Sequence, residues 1–99
     1  MPSLTIHDVR AAGLSDDWAF SPDRGGLIRR TFKFASFVSA FAFMARMAEY
    51  SERVQHHPEW LNVYNRVEVT LTTHDVGGLS DKDLAWAQEA DRQYLTEQP

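Results

Sequence analysis

The feature that most constrains this fold is a change of hydrophobic period across "SERVQHHPEWLNVYNRV". Before it, from about Ser36 to Val54, apolar residues recur at helical spacing. Phe37, Phe41, Met44, Ala45 and Ala48 form one stripe, and Phe43, Met47 and Tyr50 add a neighbouring face. Ser36 stands where an N-cap is expected. Pro58 bars the helix from continuing, because it lacks an amide donor and disfavours helical geometry in the residue before it, which pushes His57 toward extended backbone. Beyond it the chain alternates. Leu61, Val63, Val67, Val69 and Leu71 share one parity, while Trp60, Tyr64, Arg66, Glu68, Thr70, Thr72 and His74 share the other. Asn65 offers a turn or bulge that divides this run into two strands.

The flanking segments complete the pattern. "SLTIHDVRAAG" reads as a short helix with Ser3 or Thr5 as cap, Leu4 and Val9 on its apolar side and Gly13 as stop signal. "DWAFSPDRGGLIRRTFKF" places two extended runs around a turn-rich centre, as in an antiparallel hairpin. Its second run sets Ile28, Phe32 and Phe34 against Arg29, Thr31 and Lys33, with Arg30 breaking the apolar series. After a Gly-Gly loop, Ser80 as N-cap, Asp83 at the third helical position and a Leu79–Leu84 staple announce a last helix. The order is α-β-β-α-β-β-α, and the expected architecture is an α+β two-layer sandwich of an antiparallel sheet covered by helices. The central helix is apolar over so wide an arc that it needs more than one layer of cover, either from its own sheet or from another subunit; a central core helix is the favoured reading, and an interface role can coexist with it.

Ninety-nine residues without an internal repeat or long linker make one domain, expected to span 1–99. A net charge of -4, with ten scattered Lys and Arg, lacks the clustered basic face of a nucleic-acid binder. Zero cysteines remove disulfides, thiolate nucleophiles and cysteine-ligated zinc. "MPSLTIHDVR" has no signal-peptide character, and "FASFVSAFAFMARMA" is too short and interrupted for a membrane span, so a soluble, cytoplasmic protein is expected.

Three of the four histidines fall at structural transitions: His56 and His57 at a helix end, His74 at a strand end before a flexible loop. Glu52, one turn before His56, Asp75 beside His74 and Asp83 at a helix start can join them at one rim of the sheet. Each residue also has an ordinary structural explanation, as dipole partner, cap or solvated pair. The combination is harder to ascribe to independent accidents, whereas His7 reads as surface decoration. A three-histidine metal centre is a secondary reading, because adjacent residues on an extended segment point in opposite directions. No nucleophile elbow or phosphate-binding loop occurs, and metal-free acid/base chemistry by imidazoles that titrate near neutrality is the leading expectation. Trp60 and Tyr64 offer flat apolar surface for a planar heterocycle.

Glu52, three intervening residues, His56-His57-Pro58, five to Tyr64, nine to His74 and eight to Asp83 form a pattern that resembles the pterin-4a-carbinolamine dehydratases. "HHPEWLNVYNRV" and "VTLTTHDVGGLSDKD" are similar to that family almost residue for residue, and "LIRRTFKFASFVSAFAFMARMAEYSERV" extends the likeness over most of the chain. The resemblance implies dehydration of 4a-hydroxytetrahydropterin to quinonoid dihydropterin, without metal or redox cofactor. It implies His56 and His74 as the acid/base pair, His57 holding the pterin, Glu52 and Asp83 orienting imidazoles or substrate, and Trp60 walling the pocket. It further implies helices on one face of a four-stranded antiparallel sheet, and a homodimer or homotetramer. The alternative is a non-catalytic interaction or assembly-partner protein on the same fold.

Overall fold

Alternation in "LIRRTFK" makes a strand with one face for the core and one for solvent. The computed structural model, which describes residues 3–97, places it as β2 (Leu27–Lys33), with Ile28 and Phe32 fully buried. It is preceded by α1 (Ile6–Ala11) and β1 (Ala19–Ser21), and followed by α2 (Phe37–Val54), β3 (Glu59–Val63), β4 (Arg66–Leu71) and α3 (Asp81–Glu97). The strands lie in the order β1-β2-β4-β3, every pair antiparallel. Both β2 and β3 are antiparallel to β4, so α2 carries the chain across β4 between two parallel strands. The sandwich has the order and antiparallel sheet expected from sequence. Its core joins Ile28, Phe32, Val67, Val69 and Leu71 of the sheet to Phe43, Met47, Trp86 and Ala90 of the helices. Each large side chain here contributes roughly 2–3 kcal/mol by leaving water.

Local chemistry explains most boundaries. In α1, Thr5 is the N-cap, and its backbone N–H donates to Asp8 Oδ2 at 2.7 Å, while Val9 is buried. In α2, Ser36 Oγ accepts from the Ser39 backbone N–H at 3.1 Å, the expected cap. A two-residue turn, Tyr64-Asn65, separates β3 from β4, with Val63 opposite Arg66. Asn65 Nδ2 donates to the Phe34 carbonyl at 2.9 Å, tying this turn to the end of β2.

Two sequence expectations are corrected. The buried stripe of α2 is Ala40, Phe43, Met47 and Ser51, whereas Phe37, Phe41, Ala45 and Ala48 are exposed. Ser51 can be buried because its hydroxyl donates to the Met47 carbonyl at 2.6 Å and accepts from Trp86 Nε1 at 2.9 Å. Leu61 and Val63 do not share the core face with Val67 and Val69. The hairpin register pairs Trp60 with Val69 and Asn62 with Val67, so those residues face inward and Leu61 and Val63 lie exposed. As expected, α2 ends at Val54, ahead of Pro58; the stop is made by Gln55, which turns left-handed (φ 55°), while the His56 N–H reaches the Ser51 carbonyl at 3.1 Å. This is glycine-like termination by a residue that carries a side chain.

Arg30, the break in β2, stays on the core side and is only 8% exposed. Its Nη1 meets Asp91 Oδ1 at 2.7 Å and its Nη2 lies 3.4 Å from Asp17, while the guanidinium sits over the rings of Phe32 and Tyr94. Among the described residues no helix is long and apolar enough to cross a membrane.

Candidate active site

Three segments converge on one cleft: the exit of α2, the stretch after β4 and the first turn of α3. The segment after β4 is held in place by close packing of backbones. A Cβ on Gly25 would lie 1.7 Å from the Gly77 carbonyl oxygen, so the β1–β2 turn can approach the His74 loop only with glycine there. Thr73 and Gly78 close the loop through an N–H to carbonyl bond of 2.7 Å. The cleft, of about 310 Å³, is lined by Gln55, His56, His57, Thr72, Thr73, His74, Asp75 and Lys82.

The left-handed turn at Gln55 sends the two neighbouring imidazoles to different carboxylates. His56, only 11% exposed, places Nε2 at 2.6 Å from Oδ1 of fully buried Asp83. His57 lies in the open, with Nε2 at 2.6 Å from Glu52 Oε2, which reaches it from the last turn of α2. An ionised carboxylate only accepts, so each Nε2 carries a proton and each Nδ1 remains for other chemistry. His74 opens the short turn His74–Val76 and is exposed.

Asp83 serves as cap and as site residue at once. Oδ2 accepts the Ser80 backbone N–H at 3.0 Å, half of a capping box, and the Thr73 hydroxyl at 2.6 Å, leaving Oδ1 to His56. The structure thus brings His56, His57 and His74 to one cleft, with Asp83 beneath His56 and Glu52 beside His57. It does not bring Trp60 there: the indole packs edge-on against Trp86, ring centroids 6.2 Å apart, and Trp60 lines a separate depression with Arg29, Glu59, Leu61, Glu68 and Thr70. Tyr64 lies exposed at the β3–β4 turn, and His7 is exposed on α1. Gln55, Thr72, Thr73 and Lys82 were not distinguishable in the sequence as cleft residues. Thr73 carried one usable signal, its place beside His74. Among the described residues, no three His, Asp or Glu side chains are grouped as metal ligands.

Fold and cleft together define an α+β sandwich in which three histidines, two of them held by carboxylates, gather where the exit of α2, the end of β4 and the start of α3 meet. Comparison with known proteins gives that architecture its place. Residues 2–93 match the family model described as pterin 4 alpha carbinolamine dehydratase, and the chain belongs to that family. A curated relative from Novosphingobium aromaticivorans, which bears the provisional name pterin-4-alpha-carbinolamine dehydratase, is 58% identical over 76 residues, 75% of this chain and 78% of its own. A relative of the same provisional name from Rhizobium etli is 46% identical over 88 residues, 89% and 85% of the two chains. The crystal structure of a transcriptional coactivator/pterin dehydratase from Brucella melitensis superposes with a TM-score of 0.84 at 41% identity, covering 93% of this chain and 98% of the other. A pterin dehydratase-like protein described as a RuBisCO assembly factor of the alpha-carboxysome shares the fold, with a TM-score of 0.68 at 22% identity over 79% and 89% of the two chains.

Proposed function

We propose that this protein is a cytoplasmic hydro-lyase that dehydrates 4a-hydroxytetrahydropterin to quinonoid dihydropterin. The reading is carried by one observation beyond family membership: three imidazoles line a single cleft, two of them anchored through Nε2 on carboxylates. In the reaction the C4a–O bond breaks and the hydroxyl leaves as water with a proton from an acid. The N5–H proton passes to a base, and its electron pair forms the N5=C4a double bond. No electron leaves the substrate, so nothing beyond acid and base is required.

In this reading His56 and His74 form the acid/base pair. Asp83 fixes the His56 ring and compensates the charge when Nδ1 is protonated, so the ring can give or accept a proton there. His57, half open to solvent and aligned by Glu52, holds the pterin ring. Positioned proton transfer of this kind is worth roughly 10²–10⁴-fold in rate. Self-association belongs to the same reading, supported by the exposed Phe37, Val38 and Phe41 on α2 and by Leu61 and Val63 on the edge strand β3.

The deciding experiment is a direct assay of 4a-carbinolamine decay with the wild type, His56→Ala and His74→Ala, with melting curves to check the fold. Both variants are expected to lose at least about 10²-fold in turnover. Unchanged turnover in both sinks the proposal. Wild-type protein without effect on the decay, but with a specific partner in complex, supports instead the assembly-partner role.

A further inference from the structure

We propose that Thr73 is a positioning residue that couples the two imidazoles of the acid/base pair, acting on His56 through Asp83. This rests on the assignment of His56 and His74 to the reaction and adds a residue to it. Thr73 occupies the N-cap position of the His74–Val76 turn, yet its side chain makes no capping bond there. Its hydroxyl is directed instead to Asp83 Oδ2 at 2.6 Å, and its oxygen also lies 2.6 Å from Ser80 Oγ.

Proton counting fixes the direction of this chain. Asp83 is fully buried, and its carboxylate can only accept. The single hydroxyl proton of Thr73 is therefore given to Asp83, so Ser80 must supply the proton between the two hydroxyls. Ser80 Oγ in turn accepts from the Lys82 backbone N–H at 3.3 Å. The donors run from the first turn of α3 through Ser80 and Thr73 into Oδ2, while Oδ1 is left to accept the Nε2 proton of His56. With Oδ2 saturated by the Thr73 hydroxyl and the Ser80 backbone N–H, the carboxylate cannot rotate away, and the neutral His56 ring is held as the Nε2–H tautomer.

The same threonine is covalently joined to His74 and anchors its turn, accepting the Val76 N–H on its carbonyl at 3.2 Å. One residue thereby sets the tautomer of one imidazole and the position of the other. Loss of its hydroxyl leaves Oδ2 with the Ser80 backbone N–H alone and removes the side-chain tie between the His74 turn and α3.

The test compares wild type with Thr73→Val, which keeps the shape without the hydroxyl, and with Thr73→Ser, which restores it. The first readout is the ¹⁵N spectrum of the His56 ring in the ligand-free protein, which does not depend on turnover. Wild type is expected to show a single Nε2–H tautomer with a protected proton, Thr73→Val a mixture of tautomers, and Thr73→Ser the wild-type pattern. The second readout is kinetic: Thr73→Val is expected to lose about tenfold in kcat with KM within about twofold, and Thr73→Ser to recover most of it. A wild-type tautomer pattern in Thr73→Val overturns the proposal, as does an equal loss in Thr73→Ser. If the dehydratase reading itself fails, the wild type shows no turnover while the ring spectrum still reports on the chain of bonds.

Discussion

At the scale of single residues, the site gives one side chain two tasks and divides them between its atoms. Asp83 was legible in the sequence as a helix cap and, separately, as an orienting carboxylate; the structure assigns Oδ2 to the first and Oδ1 to the second. The partner on the histidine side is 27 positions away, beyond any local rule. Thr73 escaped notice because threonine before a turn is ordinary, and only the geometry shows its hydroxyl leaving its own turn. A different pair makes a titration prediction. Arg24 donates to both oxygens of Glu59, at 2.7 and 3.1 Å, and this bonding holds the Glu59 carboxyl below the usual glutamate value. A lowered folded-state value means the pair's contribution is complete above the ordinary carboxylate range and is lost as pH falls through the lower value. Carbon-detected NMR titration is expected to give Glu59 a midpoint below that of a free glutamate, returning upward in Arg24→Ala. An identical midpoint in the two proteins contradicts the assignment.

At the scale of elements, the change of period around Pro58 correctly separated α2 from the strands, but the burial of α2 was read on the wrong stripe. The helix carries two apolar arcs, and the one with the larger sum of phenylalanines lies outside. The inner arc contains Ala40 and Ser51, small residues that allow close approach to β4 and α3 and that a hydropathy count undervalues. Similarly, alternation through Leu61 to Leu71 could not reveal that a two-residue turn changes which parity faces the core. The two arcs predict opposite responses. Phe43→Ala is expected to cost about 3–5 kcal/mol in urea unfolding, the usual penalty for emptying a buried aromatic site. Phe41→Ala is expected to stay within about 0.5 kcal/mol for the dissociated chain. In sedimentation the second variant is expected to shift toward the single-chain mass, whereas an unaltered profile removes α2 from the proposed self-association surface. Similar unfolding penalties for both variants contradict the assignment of the arcs.

At the scale of the whole molecule, the order of elements and an antiparallel sheet covered by helices followed from alternation and caps, but the strand order β1-β2-β4-β3 and the long-range side-chain contacts did not. Arg30 looked like a flaw in a strand because its partner, Asp91, stands 61 positions later. Between them they bury a charge pair under aromatic rings. Asp91 also accepts Trp18 Nε1 at 2.8 Å and the Ser15 N–H at 3.1 Å. Breaking such a pair leaves the buried Arg30 with only the longer contact to the exposed Asp17, so Asp91→Ala is expected to cost about 3–5 kcal/mol in chemical denaturation. A loss below about 1 kcal/mol contradicts the clamp, since that is the scale of an exposed pair.

Because Ser15 is bound by a carboxylate 76 positions later, α3 also fastens the segment between α1 and β1. Gln88 strengthens that hold through the Ala12 carbonyl at 2.9 Å. The histidine cleft depends on the opposite end of this helix, through Ser80 and Asp83. Loss of Asp91 therefore removes the Ser15 and Trp18 ties while sparing the tethers of His56, and damage at Ser80 does the reverse. The last helix thus holds two separate parts of the fold, the His56 ring near its start and the Ser15 segment near Asp91.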